Sequence, residues 1–389
     1  MAAQSARSLP RNPGIDLLRG VSIFLVLLNH IGLRIPLAKG VLASYLPTQL
    51  LSDLNFNGSE AVDLFFVISG FLIASHSIVR WGRLGTIHAR EFYLRRAARI
   101  LPLLLGLVAV LSLLHYAGVH GYVIQRSGQS LPGAVFSALG LHLNWYEAQT
   151  GYLPPNWDVL WSLSIEEIFY LGFPLACLLL RKDRIQAPLL VALPALQPWS
   201  LKSITNPIWR EKAYLPGMSA IAVGVLAAMV AAHLQRPPRW MRQVLLIAGL
   251  CGVVGVLGFE KQLWHWLGWG TLLLLTVAGG GLVLAFHWKG LERPGWRIPG
   301  TGWMQSFGRL SYEIYLTHMF VVLAMLSVYY GRGAAPRYGV LWYIPAVAGS
   351  WALGWGVARF FSNPAERALR GRWLKPSDHS MKQEAPVAG

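Results

Sequence analysis

Two ionisable side chains stand in the first apolar segment of the chain, LLRGVSIFLVLLNHIG at residues 17–32, and their types suit acid–base chemistry. Arg19 and His30 are eleven residues apart, almost three turns of an α-helix, so both lie on one stripe about 16 Å apart along the axis. Because imidazole titrates near neutral pH, His30 is a candidate general base. The competing interpretation is a histidine that is only hydrogen-bonded between helices.

Two adjacent acids, Glu166 and Glu167, interrupt a second apolar segment, WSLSIEEIFY at residues 161–170. Adjacent residues point about 100° apart on a helix, so we expect only one of them to face a given cavity squarely. The spacing does not indicate which one. A carboxylate at this depth either takes part in chemistry or pairs with an arginine of another helix, and both interpretations require a polar interior.

A third segment, EFYLRRAARILP at residues 91–102, holds Arg95, Arg96 and Arg99. Arg96 and Arg99 are spaced i, i+3 and so share a helix face. Guanidinium groups bind phosphates with two parallel hydrogen bonds, which predicts a site for an anion. A solvated cluster of positive charge beside a membrane is the alternative.

Further polar candidates stand in two other apolar segments, at residues 62–72 and 307–320. They are Asp63 and Ser69 in the first, and Arg309, Ser311, Tyr312, Tyr315 and His318 in the second. For Asp63, helix capping or packing is an equally good interpretation. The sequence has no zinc-ligand spacing, phosphate-binding loop, dinucleotide fingerprint or GxSxG elbow, so we expect no metal and no serine nucleophile.

The elements that must position these residues are membrane-spanning helices. Hydrophobic residues make up 54% of the chain and charged residues only 13%, against roughly 25% in soluble proteins. The composition predicts an all-α, polytopic membrane bundle of about ten helices, each needing about 20 apolar residues. The candidate spans are 15–34, 61–79, 100–117, 157–180, 186–200, 215–234, 243–258, 267–287, 305–330 and 340–361. Segment 131–147 is predicted to be re-entrant or interfacial.

The net charge of +17 is explained by orientation in a membrane. With the N-terminus in the cytoplasm, about 25 of the 34 Lys and Arg fall on the cytoplasmic side, as the positive-inside rule requires. Since orientation in the membrane explains the positive charge, a nucleic-acid partner is not needed to explain it. The distribution predicts a multi-pass protein of the inner membrane with both termini cytoplasmic. The first span is expected to be retained, residues 1–364 to form one membrane domain, and 365–389 a short polar cytoplasmic tail.

Five segments in this order resemble the acyltransferase 3 family of membrane O-acyltransferases, which includes bacterial sugar O-acetyltransferases. The likeness covers about residues 14–365 and rests on GIDLLRGVSIFLVLLNH, VDLFFVISGFLI, RRAARILPL, WSLSIEEIFYLGFP and FGRLSYEIYLTH. The resemblance implies that acetyl, or another short acyl group, passes from acyl-coenzyme A on the cytoplasmic side to a hydroxyl of a surface or exported glycan or its lipid-linked precursor. Many relatives append an esterase-like domain, so we expect this bundle to complete the transfer itself or to hand the acyl group to a separate protein.

The resemblance also implies roles for individual residues. His30 would be the catalytic base or a transient acyl carrier, with Arg19 as its partner. Arg96 and Arg99 would contact the phosphates of the coenzyme, and one of Glu166 and Glu167 would orient the histidine. Two alternatives stay open: a proton-coupled transporter or flippase, and an acyltransferase whose acceptor is a lipid or a small molecule.

Overall fold

The computed structural model describes residues 11–374 of the chain, and the regular secondary structure of this part is entirely helical, with no strand. The first eight helices are α1 (Pro13–Gly32), α2 (Thr48–Phe56), α3 (Gly58–Trp81), α4 (Ala89–Tyr116), α5 (Leu131–Leu139), α6 (Leu143–Thr150), α7 (Pro155–Asp158) and α8 (Leu160–Leu180). The others are α9 (Asp183–Ser203), α10 (Pro207–Lys212), α11 (Tyr214–His233), α12 (Arg239–Leu267), α13 (Gly270–Glu292), α14 (Gly302–Arg309), α15 (Ser311–Gly331), α16 (Tyr343–Val357) and α17 (Asn363–Trp373). A π-helical turn, Ala358–Ser362, joins the last two.

Nine helical segments of the described chain are long and apolar enough to cross a membrane, which confirms the predicted class of polytopic helical membrane protein. They contain α1, α3, α4, α8, α11, α12, α13, α15 and α16. The predicted span 186–200 lies in α9, a 21-residue helix with three internal prolines that is not among the nine.

One predicted span differs in detail from the observed helices, and the segment predicted to be re-entrant or interfacial is divided into two. The predicted span 305–330 is two helices, because the chain bends at Leu310 between α14 and α15. Segment 131–147 forms α5 and α6, of nine and eight residues, and both are too short to cross a bilayer. The start of the predicted tail is helical in α17, whereas residues 375–389 lie outside the described residues.

Helices α1 and α3 lie at the centre of the bundle. Helix α1 packs on α3, α14 and α15, and α3 packs on α11 and α13 as well. Helices α12 and α13 pack against each other, as do α15 and α16, and in each pair the outer helix is α12 or α16. The polar residues of α1 and α3 are therefore enclosed by protein instead of facing lipid, which is where ionisable groups in membrane helices are found.

The start of α1 is fixed by local chemistry. The side chain of Asn12 accepts hydrogen bonds from the backbone N–H groups of Gly14 and Ile15, and Pro13 occupies the first turn, where its missing N–H costs nothing. The Asn12 amide also donates to the Phe286 carbonyl on α13 at 2.7 Å. This contact anchors the helix that carries Arg19 and His30.

Candidate active site

A cavity of about 1000 Å³ occupies one end of the bundle, where α3 ends and α4 begins. We call this the arginine end, because eight arginines line the cavity. They are Arg11, Arg19, Arg80, Arg95, Arg96, Arg99, Arg309 and Arg370. Four carboxylates, Glu166, Glu167, Glu313 and Glu366, line it too, so arginines outnumber acids two to one and the cavity suits an anionic ligand.

Glu166 is the centre of a hydrogen-bonded group in the wall of this cavity. Ser69 on α3 and Tyr170, one turn further along α8, both donate their hydroxyl hydrogens to the same carboxylate oxygen, Oε1. The arrangement fixes the carboxylate between two helices.

Glu167 faces the same cavity, so the expectation that only one of the two acids would do so is wrong. The Arg96 guanidinium lies 3.6 Å from the Glu167 carboxylate and 3.8 Å from the centre of the Tyr170 ring. The cavity is wide enough between α3, α4 and α15 to accept side chains that diverge by about 100° from α8. Arg96 thereby connects the two acids through Tyr170.

Arg99 and Arg19 are held by partners on α15 and α17. Arg99 forms ion pairs with Glu313 at 3.0 Å and with Glu366 at 3.2 Å. Arg19 donates to the Ser311 hydroxyl at 2.7 Å. Tyr312 lies beside Arg99 and donates to the Ile100 carbonyl at 2.9 Å, so the predicted polar residues of α15 surround the arginines of α1 and α4.

His30 does not line this cavity; it packs against His318 of α15. The centres of the two imidazole rings are 5.0 Å apart. The Nδ1 atom of His318 lies 2.8 Å from the Tyr315 carbonyl and 3.1 Å from the Ile314 carbonyl, so this nitrogen carries the hydrogen and donates it. The Nε2 atom is then a bare acceptor, and it is buried without a partner among the described residues. A buried, unpaired imidazole nitrogen beside a second histidine is suited to hold or pass a proton.

Tyr315 joins the histidine pair to the cavity. Its ring lines the cavity and lies 6.1 Å from the ring of His318, and its hydroxyl accepts a hydrogen bond from Ser162 at 2.7 Å. Among the described residues, neither Glu166 nor Glu167 is hydrogen-bonded to His30. The predicted carboxylate–histidine contact is thus absent from this structure, and Tyr315 and His318 stand between the acids and His30.

Two further predicted residues have other surroundings. Asp63 lines a separate, smaller cavity near the start of α3. Arg95 lines the arginine cavity but is paired with Glu91, which also binds Arg80. The structure therefore places Arg95 in a local ion-pair group at the rim.

The sequence interpretation missed several residues that complete the cavity. Tyr170 follows Glu166 by four residues, a spacing that places both on one helix face and could have indicated the contact. Glu366 and Arg370, paired at 2.7 Å on α17, come from a polar segment that hydropathy alone assigns to solvent.

The sequence interpretation also missed Lys212, which lies outside this cavity, at the end of the bundle opposite the arginines. Lys212 is buried between Glu147 at 2.7 Å and Asp158, and it links α6, α7 and α10.

Comparison with known proteins gives a consistent result. Residues 12–355 match the family model described as an acyltransferase domain. O-acetyltransferase OatA of Staphylococcus aureus strain NCTC 8325 is 25% identical over 338 residues, which cover 79% of this chain and 52% of OatA; the OatA proteins of strains COL and MRSA252 give the same values. The chain thus spans about half the length of the curated relatives it matches. No solved structure matches it.

Proposed function

The chain belongs to the acyltransferase 3 family of acyltransferase domains, and from this premise we propose that it is an integral membrane O-acetyltransferase. The donor is acetyl-CoA or another short acyl-CoA, and the acceptor is a hydroxyl of a surface or exported glycan or its lipid-linked precursor. One observation carries the proposal: a single cavity joins eight arginines to a buried group of acids and hydroxyls beside a histidine pair.

The arginines supply the donor site. Coenzyme A carries several phosphates, and guanidinium groups bind phosphates with directed, charge-assisted hydrogen bonds. Arg309 makes no ion pair with another described residue, and the one ion pair of Arg96 among the described residues is the 3.6 Å contact with Glu167, so both have donors left for a ligand. The charge distribution predicts that the arginine end faces the cytoplasm, the compartment in which acyl-CoA is present.

The histidine pair supplies the base. The acceptor oxygen forms a bond to the acyl carbon, the C–S bond of the thioester breaks, and the hydroxyl proton passes to His30 and then to the coenzyme sulfur. A thioester is already activated, so a base contributing about 10²- to 10⁴-fold and fixed orientation are the main requirements. If His30 carries the acyl group transiently, a ring nitrogen first forms the bond to the acyl carbon, the C–S bond breaks, and the sulfur takes the ring proton. The acceptor oxygen then forms the bond to that carbon, the C–N bond breaks, and the hydroxyl proton returns to the ring.

Replacement of His30 tests the proposal. His30→Ala should abolish acetyl transfer from labelled acetyl-CoA to membrane glycans, because it removes the assigned base and leaves His318 without its neighbouring imidazole. His265→Ala is the matched control, since His265 is exposed near the end of α12 and should leave transfer unchanged. Both variants should insert into the membrane at the same level.

The acceptor is tested in the cell. Mass analysis of surface glycans should show loss of acetyl groups in a strain that lacks the gene, and restoration by the wild-type protein but not by His30→Ala. Transfer retained by purified His30→Ala would contradict the assigned base. Unchanged surface glycans together with acetylated lipid would contradict the glycan acceptor.

A further inference from the structure

A second cavity, of about 210 Å³, lies at the end of the bundle opposite the arginines. It is enclosed by the first turns of α3, by α10, by the start of α11 and by the turn before α13. Helix α3 connects the two cavities: Ser59 and Asp63 line the smaller one, whereas Ser69 and Arg80 line the arginine cavity. The functional assignment made above uses none of the residues at this end.

The lining of the smaller cavity mixes carboxyl groups, one guanidinium group and indole rings. Glu60 is 8% exposed, and its Oε2 atom has no hydrogen-bond partner among the described residues. A buried polar atom left without a partner costs free energy unless a ligand or water satisfies it. Glu60 therefore indicates that a hydrogen-bond donor belongs in this cavity.

Glu211 and Arg210, two other polar residues of the lining, are held in place by their neighbours. Tyr152 donates to the Glu211 carboxylate at 2.9 Å, and burial, together with that carboxylate, raises the pKa of Tyr152 to about 12, so it stays a donor. The Arg210 guanidinium lies 5.2 Å from the centre of the Trp269 ring, and its Nε donates to the Ile204 carbonyl at 2.8 Å. Glu211 and Arg210 thus present acceptors and donors of fixed position.

The lining offers hydrogen-bond acceptors and donors side by side. The carboxyl groups of Glu60, Asp63 and Glu211 supply acceptors, and the Arg210 guanidinium supplies donors. Hydroxyl groups both donate and accept, so a neutral ring with several hydroxyls satisfies carboxylates and a guanidinium at the same time. Indole rings bury the apolar C–H face of such a ring. The volume is below that of typical ligand pockets, about 300–1,000 Å³, and suits one ring instead of a chain.

The smaller cavity also lies next to the groups assigned to chemistry. Phe66 lines both cavities, and its ring meets that of Trp161 at 6.3 Å between centres. Ser162, the residue after Trp161, donates to Tyr315, whose ring is 6.1 Å from that of His318. The Phe66–Trp161 pair therefore forms a thin apolar wall between the smaller cavity and the site beside the histidines.

We propose that the smaller cavity binds one neutral, polyhydroxylated ring of the sugar type, and that this ring is the acceptor unit whose hydroxyl reaches the histidines past Phe66 and Trp161. The second half of this assignment rests on the proposed acetyl transfer, whereas the binding of a sugar ring does not. The acceptor therefore binds at one end of the bundle, and the donor binds at the other, the arginine end.

Protection of a thiol from alkylation tests binding directly. The Ser59→Cys variant is made in a Cys251→Ser background, because Cys251 is exposed and Cys177 is buried. In the purified full-length protein, glucose or N-acetylglucosamine should slow alkylation of the introduced thiol several-fold. Choline, a cation, and glucose 6-phosphate, an anion, should not. Adding Trp269→Leu should remove the protection, and adding Trp266→Leu should not, since Trp266 is 82% exposed and outside the cavity.

Acetyl transfer measured on the same variants separates the two proposals. Glu211→Gln and Trp269→Leu should raise the KM for the acceptor about 10-fold or more, while the affinity for acetyl-CoA stays unchanged. Absence of protection by either sugar, or equal protection by choline, would overturn the cavity assignment even if acetyl transfer is normal. Protection by sugar in a protein that transfers no acetyl group would instead refute the proposed function and leave the sugar site standing.

Discussion

Arg99 and Arg309 line the same cavity but differ in what surrounds them. Arg99 is bound by Glu313, whose side chain is only 1% exposed, and by Glu366, so it ties α4 to α15 and α17. Arg309 lies at the end of α14 and makes no ion pair with a residue in the described part of the chain. Both were predicted as site residues, and the structure suggests different roles for them within the proposed donor site.

Replacing Arg309 should weaken donor binding without weakening the fold. A charge-assisted hydrogen bond contributes about 1.5–3 kcal/mol, so Arg309→Gln should raise the dissociation constant for acetyl-CoA about 10- to 100-fold. The melting temperature should not change, because no buried partner loses its ion pair. Calorimetric titration with acetyl-CoA and a thermal scan measure the two quantities.

Arg99→Gln is the matched comparison, and it should lower both affinity and stability. It leaves Glu313 buried without its cation, which costs about 3–5 kcal/mol. Adding Glu313→Gln should restore much of the stability but not the affinity. An Arg99→Gln protein as stable as wild type would show that the Glu313 pair contributes nothing to the fold.

At the scale of elements, the position of α14 against α1 depends on small residues. A Cβ atom on Gly308 would collide with the Asp16 carbonyl oxygen, and one on Gly20 would collide with the Met304 carbonyl oxygen. The backbones of α1 and α14 can approach closely only because both positions are glycine, as is common where membrane helices pack. This approach places Arg19 beside Ser311 at the start of α15.

We expect Gly308→Ala to separate α1 from α14 and to destabilise the protein by about 1–3 kcal/mol, a typical cost of overpacking. Activity should fall as well, since Arg19 would move away from the cavity wall. Gly172→Ala on α8 is the control, because a Cβ there meets no atom within 4 Å and alanine favours a helix. Thermal unfolding in detergent measures the effect, and equal melting temperatures for the two variants would show that the contact tolerates a methyl group.

At the scale of the whole molecule, the two cavities lie at opposite ends of one bundle. The arginine cavity extends along α3 from Arg80 back to Phe66, which also lines the smaller cavity around the first turns of the helix. Only one end can face the cytoplasm. The charge distribution predicts that it is the arginine end.

Labelling of single thiols in intact cells tests this orientation. In a Cys251→Ser background, Ser127→Cys, in the loop after α4, should react with a membrane-impermeant maleimide. Gln235→Cys, in the loop after α11 at the arginine end, should react only after the membrane is permeabilised. Both positions are exposed, so reactivity reports the side of the membrane. The reverse pattern would place the arginine cavity outside the cytoplasm and exclude cytoplasmic acyl-CoA as its ligand.

The sequence by itself determined the class of fold and the positions of most membrane-spanning helices, because long apolar runs and their charged flanks are local features that a single segment displays. Nine of ten predicted spans fall on segments that could cross a membrane, and five motifs indicated the family that the comparison confirmed. Arg96, Arg99, Glu166 and Glu167 were singled out by residue type and spacing, and all four line the arginine cavity.

Only the tertiary structure decided which of these residues meet. Contacts between His30 and His318, or between Glu166 and Ser69, join residues 288 and 97 positions apart, and they depend on how helices pack side by side. Helical periodicity shows on which face of its own helix each residue lies. It does not show which neighbouring helix that face contacts. For that reason the sequence could not show that both acids share one cavity, that Asp63 lies in another, or that Tyr315 and His318 stand between the acids and His30.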